Sequence, residues 1–222
     1  LKPKGVPIIS VKCKKKELKG NFKKNEREWQ AKGADTTVNV YDYLSLADGM
    51  AMPYGIYDLE HNLGFVNVGI GHDTAEFAVE SIRRWQQYGK GLYPEQTKLL
   101  ITADGGGSNI VRSRLWKREM QCLANETGLT FTVCYFPPDT SKWNKIEYQI
   151  FFYISINWRV NPLISLETII ERISYTTSKE GLIVTAVKDS YTYPTGIKVT
   201  DEELKALHII RDAFLGEWNY TF

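Results

Sequence analysis

Two acidic residues stand where carboxylates can do chemistry. Asp104 closes the apolar run Lys98 to Ala103 (KLLITA) and opens Asp104-Gly-Gly-Gly-Ser-Asn109. An acid at the C-terminal end of a buried strand, followed by glycines and a helix start, occupies the place where α/β sheets carry functional groups. The glycines allow close backbone approach to a ligand, or supply positive φ. No Gly-Lys-Ser/Thr follows, so the loop is not of the Walker type. An Asp that only caps its turn is the other reading. Glu147 ends the segment PPDTSKWNKIE, 137–147. Helical projection puts Trp143, Ile146, Ile150 and Ile154 on one apolar face, with Glu147 at its edge. A carboxylate half buried there must be paired or bind a cation. The alternative is an exposed Glu paired with Lys145 or another neighbour. Two carboxylates converging at a strand end would suit a hard divalent ion, Mg²⁺ or Mn²⁺.

Other chemistries find less support. His61, His72 and His208 show no zinc spacing, and His208 falls on the expected last helix. The three cysteines, Cys13, Cys122 and Cys134, form no CxxC pair, which argues against a disulfide framework or a zinc ribbon. Trp143 and Trp158 could stack on bases, or simply pack.

The elements that must position these acids follow from hydrophobic period. Val6 to Val11, Thr37 to Tyr43, Phe65 to Ile70, Lys98 to Ala103 and Leu129 to Phe136 read as strands. Asp73-x-x-Glu76 fits a capping box for a helix with Ala75, Ala78, Val79, Ile82 and Trp85 inside. A second helix runs to about Thr127 with Val111, Leu115, Trp116, Met120 and Leu123 as its stripe, and a third spans Ser141 to Asn157. Beyond them come a helix from Ser165 to about Thr176, a strand at 181–187, and a last helix. Thr200-Asp-Glu-Glu203 caps that last helix, and Leu204, Leu207 and Ile210 form its inner face. Strands alternating with helices after residue 65, behind a strand-rich opening, predict an α/β mixed sheet. The expected division is a core at 1–160 and a C-terminal helix-and-strand extension at 161–222.

Composition sets the outer bounds. The 222 residues carry a net charge of +2, with 43% hydrophobic, 13% aromatic and 24% charged residues. That is the make-up of a soluble globular protein and excludes disorder for most of the chain. The most apolar stretch, Tyr148 to Trp158, is broken by Gln149, Ser155 and Asn157 and is too short to span a membrane. No signal peptide is expected at the start. Charge is uneven: residues 1–33 hold eleven Lys or Arg (2, 4, 12, 14, 15, 16, 19, 23, 24, 27, 32) against three Glu. A basic opening on a near-neutral body points to a polyanion, because clustered cations gain by releasing counterions. A solvated lysine-rich loop is the other reading.

Six motifs carry a resemblance. PYGIYD (53–58), DTAEFAV (73–79), LLITADGGGSN (99–109), PPDTSKWNKIE (137–147), ISINWR (154–159) and GEWNY (216–220) resemble, in order, the DDE transposases of the Rhodopirellula-type family of bacterial insertion sequences. The resemblance runs from about Ile8 to Phe222. It implies a ribonuclease H-like mixed sheet flanked by helices, and DNA cleavage and strand transfer with two divalent metals. It implies DNA partners (transposon ends and target), a homo-oligomer, no membrane, and a cytoplasmic, nucleoid-associated place in a bacterium. Family members also carry an N-terminal DNA-binding region, so this chain resembles the catalytic portion. By the same resemblance Asp104 matches the second acid and Glu147 the third, both as metal ligands. The first acid is expected in a stretch like SVDTKKKE, and here Ser10-Val11-Lys12-Cys13-Lys14-Lys15-Lys16-Glu17 puts Lys12 in its place.

Other departures are Tyr135 and Tyr148 for histidines, Gln149 for arginine, Asp139 for glycine and Leu215 for histidine. An ammonium cannot ligate a metal and repels one, so an impaired or inactive nuclease is expected. Asp42, Asp58 and Asp73 are the acids that could complete the set. Candidate phosphate contacts are Lys14, Lys15 and Lys16 of the basic cluster and Arg112, Arg114, Lys117, Lys142 and Lys145, which border the acids; an ordinary solvated helix face is the other reading of each of the latter. The readings in view are a transposase catalytic domain, a non-catalytic DNA-binding protein of the same fold, and a phosphodiesterase acting on RNA hybrids.

Overall fold

A computed structural model describes residues 6–20, 49–158 and 162–222. The strand expected at Thr37 to Tyr43, with Asp42, lies outside the described residues, as do Lys23, Lys24, Arg27 and Lys32. Among the described residues the fold is one mixed sheet with helices on both faces. Its strands are β1 (Ile8–Cys13), β2 (Glu17–Leu18), β3 (Met50–Asp58), β4 (Leu63–Gly69), β5 (Lys98–Asp104), β6 (Thr130–Phe136), β7 (Ile183–Asp189), β8 (Ile210–Arg211) and β9 (Asn219–Thr221). The sheet order is β7-β4-β3-β1-β5-β6-β9-β8, with the short β2 paired to β3. β1, β3 and β4 form an antiparallel meander, and β5 and β6 join β1 in parallel. This is the arrangement expected of a ribonuclease H-like core. Strands from 161–222 close both edges: β7 runs parallel to β4, and β9 pairs antiparallel with β6.

The two faces have separate cores. On one, α1 (Ala75–Gly89) and α2 (Arg114–Thr127) bury Phe77, Ile82, Trp85, Trp116, Met120 and Leu123 against Ile9, Val11, Ile101 and Val133. On the other, Ile146, Ile150, α3 (Phe152–Trp158) and α4 (Leu166–Ser174) cover Tyr57, Val66, Val68 and Val184. The expected stripe of α1 is buried throughout. Its cap differs: Thr74, not Asp73, accepts the Phe77 N–H, because Asp73 instead accepts from Ser108 N.

Three further expectations are corrected. Trp143 is exposed rather than inside, because it belongs to a 3₁₀ turn (Ser141–Trp143) where a 3.6-residue projection does not apply. Ile210 is exposed and lies in β8, because the last helix, α5 (Asp201–Lys205), stops after five residues. His208 follows that helix instead of sitting on it. The capping box itself, Thr200 with Glu203, is present in both directions. No helix among the described residues is long and apolar enough to cross a membrane.

Candidate active site

Strand register brings the first two residues together. β1 and β5 run parallel with Val11 opposite Ala103, so one step further Lys12 stands beside Asp104 at the C-terminal strand ends. Chain order reverses here, with β3 on one side of β1 and β5 on the other, which is the crevice position of open α/β sheets. Asp104 then enters a glycine loop in which Gly107 has φ 62°. A Cβ there would stand 2.9 Å from Asp73 Oδ2, so both the backbone angle and the space favour glycine.

Glu147 reaches the same point from the other face. It begins a π-helical turn (Glu147–Phe151) that leads into α3. Ile146 and Ile150 are fully buried and hold this turn on the sheet. Close approach is possible because Gly55, opposite Lys12 on β3, has no side chain. A Cβ at Gly55 would lie 2.7 Å from Phe151 Cε1 and 2.8 Å from Ile146 Cδ1. Asn144, fully buried, completes the attachment: its Nδ2 donates to Asp104 Oδ1 at 2.9 Å and to Val11 O at 3.4 Å. The Ser10 hydroxyl donates to Asn144 Oδ1.

The Lys12 ammonium lies between the two acids. It pairs with Asp104 Oδ2 at 2.5 Å and with Glu147 Oε1. Burial opposes the charged form of Lys12, but its hydrogen bonds to Asp104 and Glu147 and their charges outweigh that and hold its pKa above the ordinary lysine value. Two cavities flank this cluster. One, about 400 Å³, is lined by Lys12, Asp73, Asp104, the glycine loop, Pro137–Asp139 and Trp218. The other, about 450 Å³, is lined by Lys12, Lys14, Lys15, Glu147, Phe152 and Ser155.

A family model described as the Rhodopirellula transposase DDE domain matches residues 1–222, the whole chain. The chain belongs to this transposase family. No curated protein and no solved structure matches it.

Transposases of the DDE type use divalent metal, and the donor set of this domain can be tested for that. It does not fit. A cationic side chain stands between the two acids, and among the described residues no group of three His, Cys, Asp or Glu is placed to hold an ion. Asp73 shares the first cavity, with Oδ2 accepting from Ser108 N at 3.2 Å and Oδ1 buried without a hydrogen-bond partner, but it does not make a set of three acids with Asp104 and Glu147. Asp58 is at the far end of β3, opposite Ile9, where it accepts from Tyr93 Oη and from Glu60 N. Cys13, beside Lys12, is no substitute ligand: burial pushes its thiol pKa up, and the Asp73 charge adds to this.

The candidate phosphate contacts divide. Lys15, Lys16, Arg112, Lys142 and Lys145 are exposed. Lys14 is engaged within the protein, 3.6 Å from Glu17 Oε1 and 4.9 Å from the Trp158 ring centroid. Arg114 is tied to Asp201 at 2.6 Å and to Val199 O. Lys117 sits 5.4 Å over the Tyr220 ring, where burial lowers its pKa. Asp139 adopts φ 61°, which accounts for the glycine that the resemblance leads one to expect there. Asn144, which bonds to both strands at this cluster, is not singled out by any pattern in the sequence. Its only signal is its place within PPDTSKWNKIE, and its partners lie on strands more than a hundred residues away or on the Asp104 strand.

Proposed function

We propose that this transposase domain binds DNA across the Lys12–Asp104–Glu147 strand ends and does not itself cleave it by two-metal chemistry. One observation carries this reading: the Lys12 ammonium makes ion pairs with both acids that the resemblance assigns to metal. A divalent ion would have to displace a tethered cation from both carboxylates and then sit beside its positive charge. The same ammonium offsets one of the two negative charges, which lowers the repulsion a phosphate backbone would meet there without metal. Exposed Lys15, Lys16, Lys142 and Lys145 supply the electrostatic attraction.

The test pairs binding with nicking. The unmodified chain should retain duplex DNA in the presence of a chelator and leave supercoiled plasmid intact in Mg²⁺ or Mn²⁺. Lys12→Asp should gain metal-dependent nicking that Asp104→Asn removes. Nicking by the unmodified chain, lost on Asp104→Asn, would show the proposal wrong.

A further inference from the structure

The helix that carries Glu147 has an unusual outer face. Its inner residues, Ile146, Ile150, Phe151, Ile154 and Trp158, are buried on the sheet. Its outer residues are free to be polar, yet Tyr148 (41% exposed), Phe152 (51%) and Ile156 (39%) form a column at four-residue spacing. Trp143, 55% exposed, stands at the head of the same segment. Three exposed rings in one short stretch make the kind of surface that serves an interaction. The column adjoins the acid–lysine cluster: Phe152 lines the cavity that also holds Lys12, Lys15 and Glu147.

Charge identifies the occupant. Lys142 and Lys145 are exposed beside the rings, and Lys145 Nζ lies 5.5 Å from the Tyr148 ring centroid. Lys15 is exposed and lines the same cavity as Phe152. Lysine is depleted from protein–protein interface cores, so rings interspersed with lysines suit a protein partner less well than a polyanion. Rings interleaved with cations suit unpaired nucleic acid, whose bases stack while its phosphates meet the ammonium groups. A base-paired duplex offers no free base faces to Tyr148 or Phe152. We infer that Trp143, Tyr148 and Phe152 form a stacking platform for an unpaired DNA strand lying beside the Lys12–Asp104–Glu147 cluster, with Lys15, Lys142 and Lys145 on its phosphates. This rests on the DNA-binding reading above and adds the form of DNA recognised.

Fluorescence anisotropy with a labelled duplex, the same duplex with a forked end, and the single strand tests it. The unmodified chain binds the forked and single-stranded probes more tightly than the duplex. Tyr148→Ala and Phe152→Ala each weaken binding of those two probes about 5- to 100-fold, and leave duplex affinity within about twofold. Phe152→Tyr restores the preference, because it keeps a ring. Lys15→Gln, Lys142→Gln and Lys145→Gln weaken all three probes and reduce the salt slope. Melting curves should show the alanine variants folded at the assay temperature, and Phe152→Tyr controls for the packing that Phe152 makes with Tyr153. Equal affinity for forked and paired probes, or alanine variants that keep the preference, overturns the platform while duplex binding stands. Failure to bind any probe at low salt overturns the DNA-binding reading as well. A dimer by light scattering that Phe152→Ala dissociates, with forked-DNA binding unchanged, gives the surface to a second copy and overturns the platform.

Discussion

Lys12 Nζ lies 2.5 Å from Asp104 Oδ2, across two parallel strands whose register sets the two side chains abreast. Glu147 meets the same ammonium from the opposite side. One positive charge thus holds together two carboxylates that would otherwise repel each other at a strand edge.

Replacing that charge by a carboxylate should make the site depend on an added ion. In Lys12→Asp three acids converge with no cation among them, so the variant should melt below the unmodified chain in chelator. Mn²⁺ should then raise its melting temperature in a concentration-dependent way, because a ligand that binds only the folded state stabilises by mass action. The unmodified chain should show no comparable rise. Differential scanning calorimetry with and without Mn²⁺ measures both. An equal Mn²⁺ shift in the two proteins would place the ion elsewhere.

The same pairing predicts a pH dependence with a definite sign. The Lys12 pKa is raised in the folded state above its usual 10.5, so its contribution is fully present below that value. It is lost as pH rises through the folded-state pKa and the ammonium gives up its proton. Lys12→Met lacks this contribution, so the stability gap between the two proteins should be constant near neutrality and should narrow above about pH 10.5. Its size should be about 1–3 kcal/mol, between the limits for exposed and buried pairs, because the Lys12 side chain is 24% exposed. Urea titrations across alkaline pH check this; a gap that stays constant into strong alkali would separate Lys12 from the acids.

How much of this was legible in the sequence depends on the range of the interaction. The strands at Ile8, Leu63, Lys98 and Thr130 and the helix at Ala75 follow from local period, which needs only neighbouring residues. Asp104 stands out because it ends an apolar run, and Glu147 because it lies at the edge of an apolar helical face. Trp143 and Ile210 fit a helical spacing in sequence but lie in a 3₁₀ turn and a strand, outside the helices that the spacing implies. The π turn at Glu147 has no periodic signature of its own. Arg114 and Lys117 bear the right charge on the right helix, but their partners, Asp201 and the Tyr220 ring, come from the distant C-terminal stretch.

Gly55 should not tolerate a methyl group. An alanine Cβ would overlap Phe151 and Ile146, both buried and unable to withdraw without lifting the Glu147 turn from the sheet. Gly55→Ala should therefore cost about 1–3 kcal/mol, as overpacking generally does. It should also weaken the Lys12–Glu147 pair, so adding Glu147→Gln to Gly55→Ala should cost less than Glu147→Gln alone. A double-mutant cycle by urea denaturation measures the coupling. Strict additivity would mean that the turn stays in place.

Asn144 makes the most exposed claim about how the site is built. Its amide donates to Asp104 Oδ1 and to Val11 O and accepts from the Ser10 hydroxyl, so a single side chain ties the Glu147 segment to β1 and β5. All of these groups are buried, and a buried polar group left without its partner costs far more than a bond gained in water. Asn144→Ala strips partners from the Ser10 hydroxyl and from Asp104 Oδ1 together, and should destabilise by about 2–4 kcal/mol. Ser10→Ala removes donor and hydroxyl at once, leaves only the Asn144 carbonyl unmet, and should cost less, about 1 kcal/mol. Asn144→Asp keeps the shape but sets a second carboxylate against Asp104. Its penalty at neutral pH should exceed that of Ser10→Ala. Equilibrium urea unfolding at neutral pH orders the three variants. An Asn144→Asp variant as stable as the unmodified chain at neutral pH would mean that the amide N–H does not reach Asp104.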